Sequence, residues 1–348
     1  MNYGKLSGDV YERSIVKVIK ANTSETREIY DGAEMGNFCA VFPCGENTRI
    51  CAQASASGRH AAIRAYRAAL NSIAARCGAC AGGFAVLSLL VPGRLREIKV
   101  RELTAEAVRQ ADSLHFPILN VNVQVLPWVD MPTAVCMADA AGTRADLPDF
   151  AGGFAQKRAG ASPGEYIVMT KWIGLEGTAV IAESSREKLK ARYPSDIVEE
   201  AADFWQYGSI LSEAATAAKS GASCLHAARE GGIFGGLWEL AADNSVGLVA
   251  DLKSIPVRQE TIEVCEYFDL NPYELMAGGS LLITCADGNA MVRALESEGI
   301  AAAVIGMITE GNDRLVRHKE ESRFLEPVRG DEVYKFYERF RMEDSVKK

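Results

Sequence analysis

The chain has 348 residues, 48% of them hydrophobic and 24% charged, and a net charge of −8. That is globular composition with mass enough for two domains of about 150 residues or more. An acidic chain gains no counterion-release term on nucleic acid, so a nucleic-acid partner is not expected. The longest largely apolar stretch, Phe84 to Pro92, is strand-sized and too short to cross a bilayer, so no membrane partner is expected either. The opening Met1-Asn2-Tyr3-Gly4-Lys5 lacks the apolar core of a signal peptide, which points to a cytoplasmic location. Nine cysteines in such a chain read as reduced thiols. The charge is lopsided: residues 1–150 are close to neutral and the remainder is acidic.

Helical periodicity opens the chain, with Tyr11, Ile15, Val18 and Ile19 on one face. Short strands are predicted at Cys39–Phe42 and Arg49–Ala52, then an Ala- and Arg-rich helix over His60–Cys77. A strand at Phe84–Val91 is followed by a helix at Thr104–Ser113. Ile118 to Leu126 alternates apolar and polar residues, as a strand with one buried face does, and Thr133–Ala138 is a further strand. Residues 140–165, punctuated by Gly152-Gly153 and Ser162-Pro163-Gly164, read as a domain boundary. The second half opens on a strand at Tyr166–Thr170. Helices are predicted at Ser185–Arg192, Asp196–Trp205, Ile210–Lys219, Phe234–Ala242, Gln259–Phe268 and Ala290–Glu298. Strands fall at Gly247–Asp251, Ser280–Thr284 and Ala302–Ile308, and a charged amphipathic helix at Tyr334–Met342 ends the chain. Strands and helices mix without strict alternation, so the class is α+β.

Four phrases in the second half carry more than pattern. They are Met169-Thr170-Lys171-Trp172-Ile173-Gly174-Leu175-Glu176-Gly177-Thr178; His226-Ala227-Ala228-Arg229-Glu230-Gly231-Gly232-Ile233-Phe234-Gly235-Gly236-Leu237; Ile255-Pro256-Val257-Arg258; and Gly279-Ser280-Leu281-Leu282 with Gly306-Met307-Ile308-Thr309-Glu310-Gly311. Glycines that open a helix leave backbone N–H groups unobstructed where the helix dipole favours an anion, which makes Glu230, Gly231 and Gly232 ligand-binding candidates beside His226. Lys171 at a strand end can meet a phosphate as a point charge, and Glu176 in what reads as a Gly-Leu-Glu-Gly turn can touch a ligand. Each has a structural alternative: a tight turn before a packed helix, a surface lysine, an exposed turn carboxylate.

In this order and spacing the phrases resemble the C-terminal domain of the aminoimidazole ribonucleotide (AIR) synthetase, or PurM, superfamily, nearest to its synthetase-related, HypE-like branch. The likeness covers roughly residues 150–330. It implies a two-domain PurM-like architecture: an N-terminal mixed sheet over 1–150 that forms a dimeric barrel with a second copy, a C-terminal α/β/α layered domain over 151–330, and a terminal helix or tail over 331–348. A homodimer follows, and ATP with magnesium as the family's cofactors.

The first half departs from that family in one direction. Magnesium needs hard oxygen ligands, and carboxylates usually anchor it. At positions where the family's phrases carry such acids stand Phe38 (in Gly36-Asn37-Phe38-Cys39-Ala40-Val41), Ala54, Ser72 (after Asn71) and Ala227, with Gln124 where a Glu belongs. No Asp or Glu occurs between Glu46 and Glu97, whereas Arg49, Arg59, Arg64, Arg67, Arg76, Arg94 and Arg96 do. Such a segment holds no divalent cation by itself and attracts an anion; Arg59, Arg64 and Asn71 are the candidates, an arginine-studded solvent face the alternative. Cys77 and Cys80 form a single C-x-x-C, a weak metal or redox signal. The superfamily's carbamoyl dehydratases carry an acceptor Cys at the C-terminus, whereas this sequence ends Asp344-Ser345-Val346-Lys347-Lys348. The expectation is a synthetase-related protein with a degenerate Mg–ATP site, a pseudoenzyme candidate that binds a small anionic ligand or a partner protein. Two alternatives stay open: an active ATP-dependent enzyme with its site rebuilt from other acids such as Glu230 or Asp251, and a cysteine-based metal or redox protein.

Overall fold

The structure, a computed structural model, describes residues 5–6, 8–23, 32–34, 36–45, 47–78, 82–143 and 160–346. It begins with helices α1 (Gly8–Tyr11) and α2 (Lys17–Thr23), separated by a π-helical turn at Glu12–Val16. Next come β1 (Cys39–Cys44), β2 (Asn47–Ser57), α3 (Ala61–Cys77), β3 (Gly83–Pro92), α4 (Glu97–Ser113), β4 (Ile118–Leu126) and β5 (Thr133–Thr143). The five strands make one mixed sheet in the order β1-β2-β5-β3-β4, antiparallel except for the β3/β4 pair. Its alternation is the period of two expected of a strand with one covered face. Ile50, Ala52 and Ala54 of β2 and Ala85, Leu87, Leu89 and Val91 of β3 pack under α3 and α4, while Cys51, Gln53, Val86 and Ser88 alternate with them on the other face.

β4 corrects one expectation. Its boundaries are those predicted, but Leu119, Val123 and Val125 are 65%, 43% and 66% exposed. Among the described residues β4 is an edge strand, paired only with β3, and only its Ile118 and Val121 pack against the core. Within one chain the sheet is open rather than closed into a barrel.

The second half runs β6 (Tyr166–Thr170), α5 (Leu175–Ser184), α6 (Arg186–Lys190), α7 (Ser195–Asp203), α8 (Leu211–Lys219), β7 (Ala222–Ala227), α9 (Gly232–Asn244) and β8 (Gly247–Asp251). It continues with α10 (Gln259–Phe268), β9 (Leu281–Cys285), α11 (Gly288–Ser297), β10 (Ala302–Thr309), β11 (Arg314–His318), β12 (Glu321–Phe324) and α12 (Glu332–Val346). The strands form a seven-stranded sheet in the order β12-β11-β8-β10-β6-β9-β7. Buried on both faces, its central strands read as near-continuous apolar runs. Ile167, Met169 and Leu282 meet α9 on one side; Val168, Leu281 and Ile283 meet α8 and α11 on the other. The result is an α/β/α layering. A separate helical cluster joins α5, α7, α10 and α12 through Ile181, Val198, Val264 and Phe336.

The sequence pattern does not announce α5, β7, β11 or β12. At α5 the pattern reads as a turn because Gly174 and Gly177 interrupt it; Gly174, at φ 67, is the cap and the helix runs through Gly177. β7, Ala-Ser-Cys-Leu-His-Ala, lacks a β-branched signature. β11 buries only Val316 and β12 is exposed throughout, so neither shows an apolar period. Of the predicted boundary, residues 144–159, including Gly152-Gly153, lie outside the described residues.

Candidate functional site

The two halves meet along α3. Its alanines let it lie close to both: Ala62, Ala65 and Ala69 pack in the first core, Ala74 and Ala75 in the second. The polar residues in and beside this helix reach across the junction. Arg64 Nε donates to Glu176 Oε1 at 2.7 Å and its Nη1 to the Ser57 carbonyl at 2.8 Å. Glu176 thus sits in the first turn of α5 as an ion-pair partner rather than in a free turn. Asn71 donates to the Gly208 carbonyl at 2.8 Å and accepts from the Ile210 N–H at 3.1 Å. Arg59 lies 3.3 Å from Glu183. His60 Nδ1 lies 2.6 Å from Glu106 and its Nε2 3.1 Å from Glu183, and its ring stacks on Trp205. The acid-free stretch of the first half therefore finds its carboxylates largely on α5.

Lys171 is buried, not a surface residue. Its ammonium pairs with Glu213 and donates to the Ser209 carbonyl at 2.6 Å. Burial lowers its pKa despite the attraction of Glu213.

A cavity of about 560 Å³ opens between the halves. Arg64, Glu176, Arg229, Glu230, Trp128 and Met276 line it, and the α12 residues Val333, Tyr334, Tyr337 and Glu338 form one wall. The predicted glycine turn borders it. Gly231 (φ 83) caps α9, and a Cβ on Gly232 (φ 64) would stand 2.4 Å from the Tyr273 carbonyl oxygen, so only glycine permits the approach. The turn already holds a carboxyl group of this chain: Asp331 Oδ2 accepts from the Gly231 N–H at 2.7 Å. Its Oδ1 accepts from Met276 N–H at 3.2 Å and from Val333 N–H at 2.9 Å. Burial drives Asp331 up to about 7 against these three bonds, and the Glu230 charge adds to the rise. Tyr334 Oη donates to Glu230 at 2.8 Å.

Most of the positions at which the resemblance led to the expectation of lost acids are packing positions. Ala54, Ser72 and Ala227 are buried; Ala54 lies in the first core, Ala227 in the second, and Ser72 Oγ donates to the Ala68 carbonyl at 2.9 Å. Gln124 is exposed on β4. Phe38 lies against His226, ring centroids 5.8 Å apart, with Lys5 Nζ 4.7 Å and the Arg229 guanidinium 5.3 Å from its ring. His226 Nε2 is 3.3 Å from Glu239, which also accepts from Lys5 at 2.7 Å. Burial alone would raise Glu239; the Lys5 ammonium and His226 outweigh it and hold the carboxyl at about 2.

Cys77 is buried and donates to the Ile73 carbonyl at 3.0 Å; Cys80 lies outside the described residues. Burial pushes Cys51, Cys136 and Cys265 up to about 12 and Cys285 to about 11, far from thiolate chemistry. Among the described residues no three of His, Cys, Asp and Glu group to hold a metal ion, and no helix is long and apolar enough to cross a membrane.

Sequence reasoning missed Asp331, Tyr334, Trp128, Arg229 and the Lys5–Glu239 pair. Only Asp331 left a signal: an Asp just before an amphipathic helix is a capping residue. Its reach to Gly231 and Met276 is tertiary.

The sequence and the fold have counterparts among known proteins. Residues 162–319 match the family described as AIR synthase related protein, C-terminal domain. Carbamoyl dehydratase HypE of Rhizobium leguminosarum bv. viciae is 27% identical over 161 residues, 45% of this chain and 44% of the relative. That of Azotobacter vinelandii is 28% identical over 180 residues, half of each protein. The chain spans about half the length of the curated relatives it matches. In fold it is similar to HypE from a HypE–HypF complex (TM-score 0.69, 14% identity, covering 90% of this chain and 99% of that one). It is also similar to AaThiL complexed with AMPPCP and TMP (TM-score 0.63, 15% identity, 92% and 98% covered).

Proposed function

This chain is a HypE-like protein of the AIR synthase-related (PurM) superfamily, and from that premise we propose that it has a degenerate Mg–ATP site and binds a small anionic ligand or a partner protein in the cavity between its halves. Phe38 carries the reading. Where the family places an acid, this chain has a ring faced by Lys5 and Arg229. A dication brought there meets the Lys5 ammonium and the Arg229 guanidinium, and the carboxylate behind the ring, Glu239, is already engaged by Lys5 and His226. The same cations favour an anion, and Arg229 extends from the ring to the cavity wall. Solved HypE has been seen in complex with ATP, so ATP is the first ligand to try.

Isothermal titration with ATP alone and with Mg–ATP tests this. The expected result is an affinity for ATP that magnesium leaves unchanged and that Arg229→Ala lowers. Tight binding that requires magnesium would overturn it.

A rebuilt, active ATP-dependent site is the second reading, because Asp130, Glu176, Glu230 and Glu338 line the cavity and offer new carboxylates. It requires steady ATP turnover that Glu230→Gln abolishes. Asp251 is less suited, since its carboxylate caps the turn after β8 by accepting from Lys253 N–H at 3.0 Å.

The proposal extends to a homodimer. The uncovered apolar residues of β4 and the 76% exposed Trp128 lie along one open edge, the kind of surface that proteins cover. Sedimentation at micromolar concentration should show two copies; a monomer would count against it.

A further inference from the structure

We propose that α12 is a strap across the inter-half cavity, latched by Asp331, and that the cavity opens by release of this latch. The strap's role as a gate rests on the reading that this cavity takes an anionic ligand; the latch itself does not.

Three observations converge on it. First, the strap forms a cavity wall through Val333, Tyr334, Tyr337 and Glu338, and it lies beyond residues 162–319, the part matched by the family. Second, one carboxylate ties together three separate pieces of backbone: the glycine turn at Gly231, the loop at Met276 and the start of α12 at Val333. Each of those N–H groups has Asp331 as its acceptor, so losing the latch orphans three buried donors at once. Third, the latch occupies the Gly231 N–H at the start of α9, where the dipole attracts anions. The chain supplies its own carboxyl group to the turn that an external anion would use. The strap's other side-chain ties are more numerous but nearer solvent. Tyr334 to Glu230, the Asn271 N–H to Glu332 at 3.2 Å, Lys335 to the Asp269 carbonyl at 3.1 Å, and Arg339 to the Phe268 carbonyl at 2.9 Å and the Asp269 carboxylate at 3.2 Å are half-buried or exposed, whereas the three latch bonds are buried. Val333 and Phe336 add an apolar footing in the helical cluster. The latch is also under opposing forces, since burial and the Glu230 charge disfavour the carboxylate that the three N–H groups favour.

Amide hydrogen exchange on the full chain tests the latch. In the wild-type protein the Gly231, Met276 and Val333 amides should exchange through one common opening, faster than the amides in the body of α9 and the central strands. Asp331→Ser should accelerate exchange of these amides and of residues 333–339 at least about tenfold. Asp331→Asn keeps one of the two acceptor oxygens and turns an NH2 donor toward the other site, so it should restore the protection only in part, on one side of the latch. Unrelated exchange rates for the three amides in the wild-type protein, or exchange only by global unfolding, would overturn the proposal even if the Ser variant failed to fold. A folded Ser variant with unchanged exchange would do the same. The gate is read separately, with ATP without magnesium as the probe, which should bind Asp331→Ser faster than wild type. No ATP binding to either protein would count against the anionic-ligand reading and the gate, while the exchange data would still decide the latch.

Discussion

Arg64 and Glu176 join the two halves through a 2.7 Å ion pair whose side chains are only 10% and 21% exposed. Removing one member leaves the other partly buried and unpaired, which costs more than the pair itself contributes. Arg64→Ala should therefore destabilise the protein by about 2 kcal/mol, and Arg64→Ala/Glu176→Ala by less than the sum of the single changes. Urea unfolding of the four proteins measures this; additive losses would show that the pair is screened and contributes nothing.

This junction is also where local pattern stops being informative. Element types are legible wherever one period dominates: α3, β6, β8 and α10 lie within one residue of prediction at each end. The glycine turn before α9 is legible too, because adjacent glycines at a helix start mark a backbone that side chains would obstruct. The partners of Arg64, Asn71 and Lys171 are not legible. Arg64 and Glu176 are 112 residues apart, and nothing local tells an arginine that meets a phosphate from one that meets a distant carboxylate. The same holds for Lys171, whose Glu213 arrives from α8.

His60 is a second tie and a titratable one. Hydrogen bonds to Glu106 and Glu183 raise it to about 9 from an ordinary 6.5, against the opposing effect of burial. The folded state thus holds this proton more tightly than the unfolded chain. The stabilisation is fully present below pH 6.5 and is lost as pH rises through 9. Thermal melting of wild type should fall across that window more steeply than that of His60→Gln, which cannot titrate. Parallel curves would remove His60 from the junction's energetics.

Lys171 and Glu213 form the buried counterpart, 9% and 6% exposed at their side chains. Glu213→Ala leaves the buried Lys171 ammonium with the Ser209 carbonyl but without the Glu213 charge, and should cost about 3 kcal/mol or more. Lys171→Met/Glu213→Leu, which removes both charges, should stay within about 1 kcal/mol of wild type. Guanidinium unfolding distinguishes the two. If Lys171 instead bound a ligand's phosphate, Lys171→Met would weaken ATP binding without the loss of stability.

Asp331 has the same pH sign as His60, because both values are raised, but its window lies lower. Its carboxyl titrates near 7 in the folded protein and near 3.8 when unfolded, so the folded state binds the extra proton between those values. Its contribution to stability is therefore highest at and below pH 3.8 and declines as pH rises toward 7. The total decline is roughly 4 kcal/mol, at about 1.4 kcal/mol per unit. Asp331→Asn carries no such charge and should lack this component. Its stability relative to wild type should grow from about pH 4 to about pH 7 and then level off. A difference that stayed flat over that range would mean that solvent reaches the carboxylate, and that the three N–H groups hold an exposed ion rather than a buried one.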